Sequence, residues 1–196
     1  PIVRARLQEQ FLEIQRRIRK TILFVTHDID EAIKMADRVA ILNMEAVVEQ
    51  YAPPEEILRD PASDFVRRFV GAERGLKRLA LISVSDIGVE EGPVVSPGDD
   101  VDRARKVMAE FDLDWASVID DGRLLGWVDE KALEGKDAVG EAEPRRFSAY
   151  VTDDDSLRRA LDSIVTSRTR VAVVVTEDQR YRGILTLERV SREIVS

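Results

Sequence analysis

Residues 95–104, VSPGDDVDRA, line up with residues 151–160, VTDDDSLRRA, at an offset of 56. Further on, WASVIDDGRLLGWV lines up with VAVVVTEDQRYRGIL, and there Gly126 meets Gly183 at an offset of 57. One residue is therefore inserted in the turn. Each copy reads as short strand, amphipathic helix, strand, turn, strand, helix. The apolar face of the first copy's helix is Val101, Ala104, Val107, Met108 and Phe111. In the second copy it is Leu157, Ala160, Leu161, Ile164 and Val165. Spacings of three and four turn such residues toward one core. Two copies are too few for a solenoid, so the expected arrangement is a pseudo-two-fold pair.

The repeat leaves a segment of different character before it. VRARLQEQFLEIQRRIRK is an amphipathic helix, with Leu7, Phe11, Ile14 and Ile18 on its apolar face. TILFVT is β-branched and apolar, and reads as a strand buried on both faces, as in a parallel sheet. DIDEAIKMADR is a second helix with an acidic first turn, and RVAIL is a second strand. Helix, strand, helix, strand is an α/β pattern. ILNMEAVVEQ follows without a glycine between Leu42 and Val47, so that hairpin is expected to be shortened or strained.

Charge separates the two parts. Residues 1–74 carry 12 Lys and Arg against 13 Asp and Glu, a net of −1; the remainder carries 18 against 25, a net of −7. The change falls near GAERGLKRL, where the domain boundary is placed: 1–74, then 75–136 and 137–196 for the two repeats. A total of −8 argues against nucleic acid as a partner. The absence of cysteine excludes disulfides, zinc thiolates and thiol catalysis. No metal site is expected: VTDDDS reads as a solvated helix N-terminus, and EFDLDWASVIDDG lacks calcium-loop spacing. Trp115 and Trp127 read as core.

The one histidine, His27, stands at the carboxyl end of TILFVT, where ligands of such sheets sit. From position alone it is either a loop residue capping the next helix or part of a site. TILFVTHDIDEAIKMADRVAIL resembles the switch-histidine region of ABC-transporter ATPases, and APPEEILRDPASDFVRRFVG resembles the end of such a domain. GAERGLKRL resembles the junction found in glycine betaine/proline/choline (quaternary-amine) importers. The resemblance implies that His27 is catalytic, contacting the γ-phosphate of ATP and holding the attacking water. A donor aimed at developing phosphoryl charge suits that chemistry. It also implies ATP and Mg²⁺ in the complete parent, with a permease and a substrate-binding protein as partners. The implied location is cytoplasmic, on the inner face of the membrane. The Walker B strand and an SALD-P loop would precede, Pro1 being that proline. No G-x-x-x-x-G-K-[ST] and no serine-glycine-glycine signature occurs, so the chain alone is expected not to hydrolyse ATP.

The repeats resemble a tandem pair of CBS domains (a Bateman module), which those importer ATPases carry after the nucleotide-binding domain. The implied fold is α/β: the end of an ABC-type nucleotide-binding domain followed by a CBS pair. Many CBS modules hold adenosine compounds through Gly, then Ser or Thr, then Asp three residues later. Here Gly183 and Thr186 are followed by Arg189, and Gly126 and Asp129 by Ala132. Both copies depart from the pattern. Thr152, Arg170, Thr186 and Arg189 are the candidate contacts for an adenine nucleotide or cyclic di-AMP; on the bland reading Thr186 caps a helix and Arg189 is a solvated charge. If Arg189 serves only the ligand, its removal should leave the unliganded melt unchanged. Two readings from other classes remain beside the importer subunit. One is a non-enzymatic module that forms a homodimer and senses a nucleotide or ionic strength. The other is a dimerisation domain without ligand.

Overall fold

The computed structural model describes residues 2–148 and 150–195. Pro1, and with it the expectation about its loop, lies outside them. The chain divides into two compact units, residues 1–78 and 79–196.

The first unit opens with α1 (Ile2–Ile18). Its apolar face is largely uncovered: Leu7, Ile14 and Ile18 are exposed, while Phe11 is half-buried. Residues 19–27 form no strand, contrary to the sequence expectation. They run irregularly, with Leu23 93% and Val25 86% exposed. The physical reason is pairing. A strand needs a neighbour for its N–H and C=O groups, and among the described residues none lies beside this segment. The apolar letters suit a buried strand, but among the described residues the segment has no strand to pair with.

Asp28 caps α2 (Ile29–Met35). β1 (Val39–Leu42) and β2 (Val48–Ala52) then form an antiparallel hairpin with a bulge at Ile41/Leu42. Its turn is strained as expected. Ala46 sits at φ +59, a left-handed conformation that costs a residue with a Cβ roughly 1–2 kcal/mol. The Asn43 side chain holds the turn by accepting the N–H groups of Glu45 and Val47, each at 3.0 Å. Helices α3 (Pro54–Arg59), α4 (Asp64–Val70) and α5 (Arg74–Arg78) complete the unit. Ile33, Ile41, Ile57, Leu58, Val66 and Val70 are buried.

The second unit holds the repeat. A short α6 (Val84–Ile87) precedes β3 (Val94–Val95), α7 (Val101–Glu110), β4 (Trp115–Asp120), β5 (Arg123–Asp129) and α8 (Glu130–Leu133). After a 3₁₀ turn at Val139–Glu141 come β6 (Tyr150–Val151), α9 (Leu157–Thr166), β7 (Val171–Val175), β8 (Tyr181–Thr186) and α10 (Leu187–Val195). Each repeat makes one three-stranded sheet, β3-β4-β5 and β6-β7-β8. In each the first pair is parallel and the second antiparallel with a bulge. The expected helix faces are buried, Leu161 partly, except at their ends, where Phe111 and Val165 reach solvent.

The segments before each repeat cross over. Glu90 pairs with Ile184 through two backbone bonds of 2.9 Å, and Arg145 pairs with Trp127 through bonds of 2.8 and 2.9 Å. Leu79, Val84 and Val89 consequently pack into the second repeat's core, and Val139 and Ala142 into the first's. The packed halves and the sequence repeats do not share boundaries. Gly126 and Gly183 make these crossings possible. Their φ values are +152 and +151, and a Cβ would stand 2.4 Å from the Arg145 carbonyl oxygen and 2.6 Å from that of Glu90.

Between the two sheets lies a third core. Trp115 and Trp127 face Val171, Val173, Val175 and Ile184 across Phe147, while Ala116, Val118, Ala172 and Val174 serve the outer cores. Period-2 alternation thus gives each central strand two apolar jobs. Tyr181 borders this layer, its hydroxyl facing Ser117 and the Gly92 N–H. Burial pushes its phenol up to about 12, with Ser117 and Gly92 pulling part of the way back. The folded protein therefore keeps Tyr181 neutral over a range in which the unfolded chain ionises it. Stability is expected to fall by about 2 kcal/mol between pH 10 and 12, most of the total that two units at about 1.36 kcal/mol each would give above both pKa values. Urea melts of the parent and Tyr181→Phe across that range check this: the Tyr181→Phe curve should be the flatter.

Candidate functional site

His27 lies exposed in a bend, and the residues around it are organised. Thr26 Oγ1 donates to Glu31 at 2.7 Å and accepts the Asp28 N–H at 3.0 Å. Asp28 Oδ1 accepts the N–H groups of Asp30 and Glu31 at 3.0 and 3.2 Å. The cap of α2 is therefore Asp28, and the imidazole is left out of it. Gln8 of α1 donates to Glu31 at 2.9 Å, and Lys77 of α5 meets Asp30 at 2.7 Å. Three helices thus fix the turn that presents His27 outward. Sequence reading found the acidic first turn but not Gln8 or Lys77, whose approach depends on tertiary packing. Among the described residues no group of His, Asp or Glu could hold a metal ion.

The second-repeat residues do not all converge. Val171 pairs with Thr186, so Arg170 lies near the end of β8, exposed and at φ +54. Val151 pairs in parallel with Val174, which puts Thr152 at the opposite end of β7. Four residues of strand, about 13 Å, separate the two ends. Thr152 is also occupied: its N–H and hydroxyl meet the Asp155 carboxylate at 2.8 and 3.2 Å in the turn before α9. Thr152 therefore does not join the other three.

Thr186 caps α10, its hydroxyl accepting the Arg189 N–H at 3.2 Å. That hydroxyl donates to Glu90 at 2.7 Å. The Arg189 guanidinium donates to the Ile87 carbonyl and pairs with Glu193 at 3.6 Å. Arg189 is thus tied to the crossing segment rather than solvated. In the first repeat Asp129 takes the place of Thr186. It caps Ala132 at 2.9 Å and meets Arg145 at 2.8 Å and Arg168 at 3.4 Å. Neither Glu90 nor these two arginines was singled out by sequence, because their contacts arise from the crossing.

The CBS domain family model matches residues 84–134 and 139–196, the two repeats just described. The chain belongs to the CBS-domain family. Its CBS pair has the fold of the CBS-pair protein CBSX2 from Arabidopsis thaliana. That match has a TM-score of 0.50 and 26% identity, over 58% of this chain and 94% of that one. Across both units the homologues are ATP-binding subunits of quaternary-amine ABC importers. The osmoprotectant import ATP-binding protein OsmV of Salmonella typhimurium is 38% identical over 93% of this chain and 48% of its own length. The glycine betaine/carnitine/choline transport ATP-binding protein OpuCA of Bacillus subtilis is 37% identical over 95% of this chain and 50% of its own. The chain spans about half the length of the curated relatives it matches. No described helix is long and apolar enough to cross a membrane.

Proposed function

We propose that this chain is the C-terminal portion of the ATP-binding subunit of a quaternary-amine importer, and that its CBS pair regulates ATP-driven uptake. The observation that carries the reading is the pinned turn that holds His27 outward beside an apolar segment, 21–26, that has no partner strand among the described residues. Both features suit the edge of a larger nucleotide-binding sheet. In this reading residues 1–74 close the ATPase domain, and 75–136 and 137–196 are the regulatory repeats. His27 donates to the γ-phosphate. In this reading ATP and Mg²⁺ belong to the complete parent subunit. A permease and a substrate-binding protein are the partners, and the working place is the cytoplasmic face of the membrane.

Val165 and Leu187 stand exposed on α9 and α10, which suits a homodimer built through these helices. Light scattering on residues 76–196 is expected to give a dimer. A monomer at high micromolar concentration would remove that part of the proposal.

The ligand reading is an adenine nucleotide or cyclic di-AMP beside Arg170, Thr186 and Arg189. Thr186 would have to exchange Glu90 for a phosphate, and a carboxylate there repels one. Glu90→Gln is therefore expected to strengthen the response to nucleotide. A ligand at 100 times its Kd should stabilise the fold by about 2.7 kcal/mol. Arg189→Ala should abolish the response. It should also lower the unliganded melt, because the Ile87 carbonyl loses its donor; this differs from what sequence alone suggested. A thermal-shift panel of AMP, ADP, ATP and cyclic di-AMP at low and high salt tests the set. A flat panel in the parent and in Glu90→Gln alike would overturn the ligand reading, and a response to salt alone would favour ionic sensing.

A further inference from the structure

Asp129 and Thr186 occupy equivalent places in the two repeats and make the same cap, each accepting an N–H three residues on. They differ in what else they touch. The second oxygen of Asp129 receives two guanidiniums, Arg145 Nη1 at 2.8 Å and Arg168 Nη2 at 3.4 Å. Arg145 comes from the segment that crosses into the first repeat, and Arg168 from the loop between α9 and β7 of the second. Both also lie over the Trp127 ring, 5.2 and 5.6 Å from its centroid, which holds the two cations close despite their like charge. The carboxylate is 8% exposed, whereas Arg145 and Arg168 are 40% and 67% exposed. Two partly open guanidiniums thus share one nearly buried anion.

Guanidinium pairs converge in this way on phosphate as readily as on carboxylate. We infer that Arg145 and Arg168 form an oxyanion site whose resident occupant is the chain's own Asp129. This occupant keeps the first-repeat half of the module closed to inorganic phosphate and phosphate monoesters. The inference does not depend on the importer reading. It makes the two halves of the CBS pair chemically unequal, with the first sealed from within.

Asp129→Thr copies the residue that the second repeat uses, so the helix cap survives and only the anion is removed. In the full chain, Asp129→Thr is expected to melt lower than the parent in chloride. It should bind inorganic phosphate at least 10-fold more tightly than the parent, measured by calorimetry and thermal shift at matched ionic strength. Adding Arg168→Gln should remove that gain. A folded Asp129→Thr protein with the parent's phosphate affinity would overturn the inference, and so would a gain that survives Arg168→Gln. If Asp129→Thr is unfolded in chloride, circular dichroism becomes the readout: phosphate, and not chloride at the same ionic strength, should restore the native spectrum. Failure to do so would equally overturn it.

Discussion

Gly183→Ala is expected to lower the stability of the second unit by roughly 3 kcal/mol or more, and Gly126→Ala by a similar amount. The two costs have separate origins. A φ of +151 or +152 suits a residue without Cβ, and strain of this kind costs roughly 1–3 kcal/mol. The added Cβ also meets backbone oxygen, at 2.6 Å for Gly183 and 2.4 Å for Gly126, so the crossing segment itself must move. Overpacking of this sort costs roughly 1–3 kcal/mol more. Against a total of about 5–15 kcal/mol this is a large share, worth roughly 10 °C or more in Tm. Gly98 supplies the control, since a Cβ there would meet nothing within 4 Å. Urea melts of Gly183→Ala and Gly98→Ala should differ widely in midpoint. Equal midpoints would show that the crossing at Glu90 does not govern the fold.

These two glycines also show what the sequence made legible. Their alignment at an offset of 57 marked the repeat, and the strands, helices and apolar faces of both copies followed from local periodicity. Neither glycine's purpose could be read there, because Glu90 and Arg145 come close only through the exchange of segments. The same exchange hid the partners of the strand-end residues. Thr186 fits the nucleotide pattern and Asp129 departs from it, yet Glu90, Arg145 and Arg168, which they touch, lie far from them in sequence. As hydroxyl donors, Thr152 and Thr186 read alike in the sequence. Register decides the matter: a parallel first strand puts Thr152 at the far end of β7. In the first unit, TILFVT was legible as a buried strand and is not one here. Composition states where a segment would be stable, while pairing requires neighbours.

His27 ties that segment to the proposed function, and it offers the most direct test. Thr26, Asp28, Gln8 and Lys77 fix the turn, and on the proposed function that turn aims one imidazole at a phosphoryl group. In an ATP-binding subunit that joins this chain to its nucleotide-binding half, His27→Ala is expected to slow phosphate release from Mg·ATP by about 10²–10³-fold, with ATP affinity nearly unchanged. The decisive measurement is that pair of numbers on one preparation, turnover at saturating ATP and the Kd for ATP. A large loss of rate at constant affinity is the expected result. An unchanged rate, or lost affinity with the rate preserved, would contradict the account.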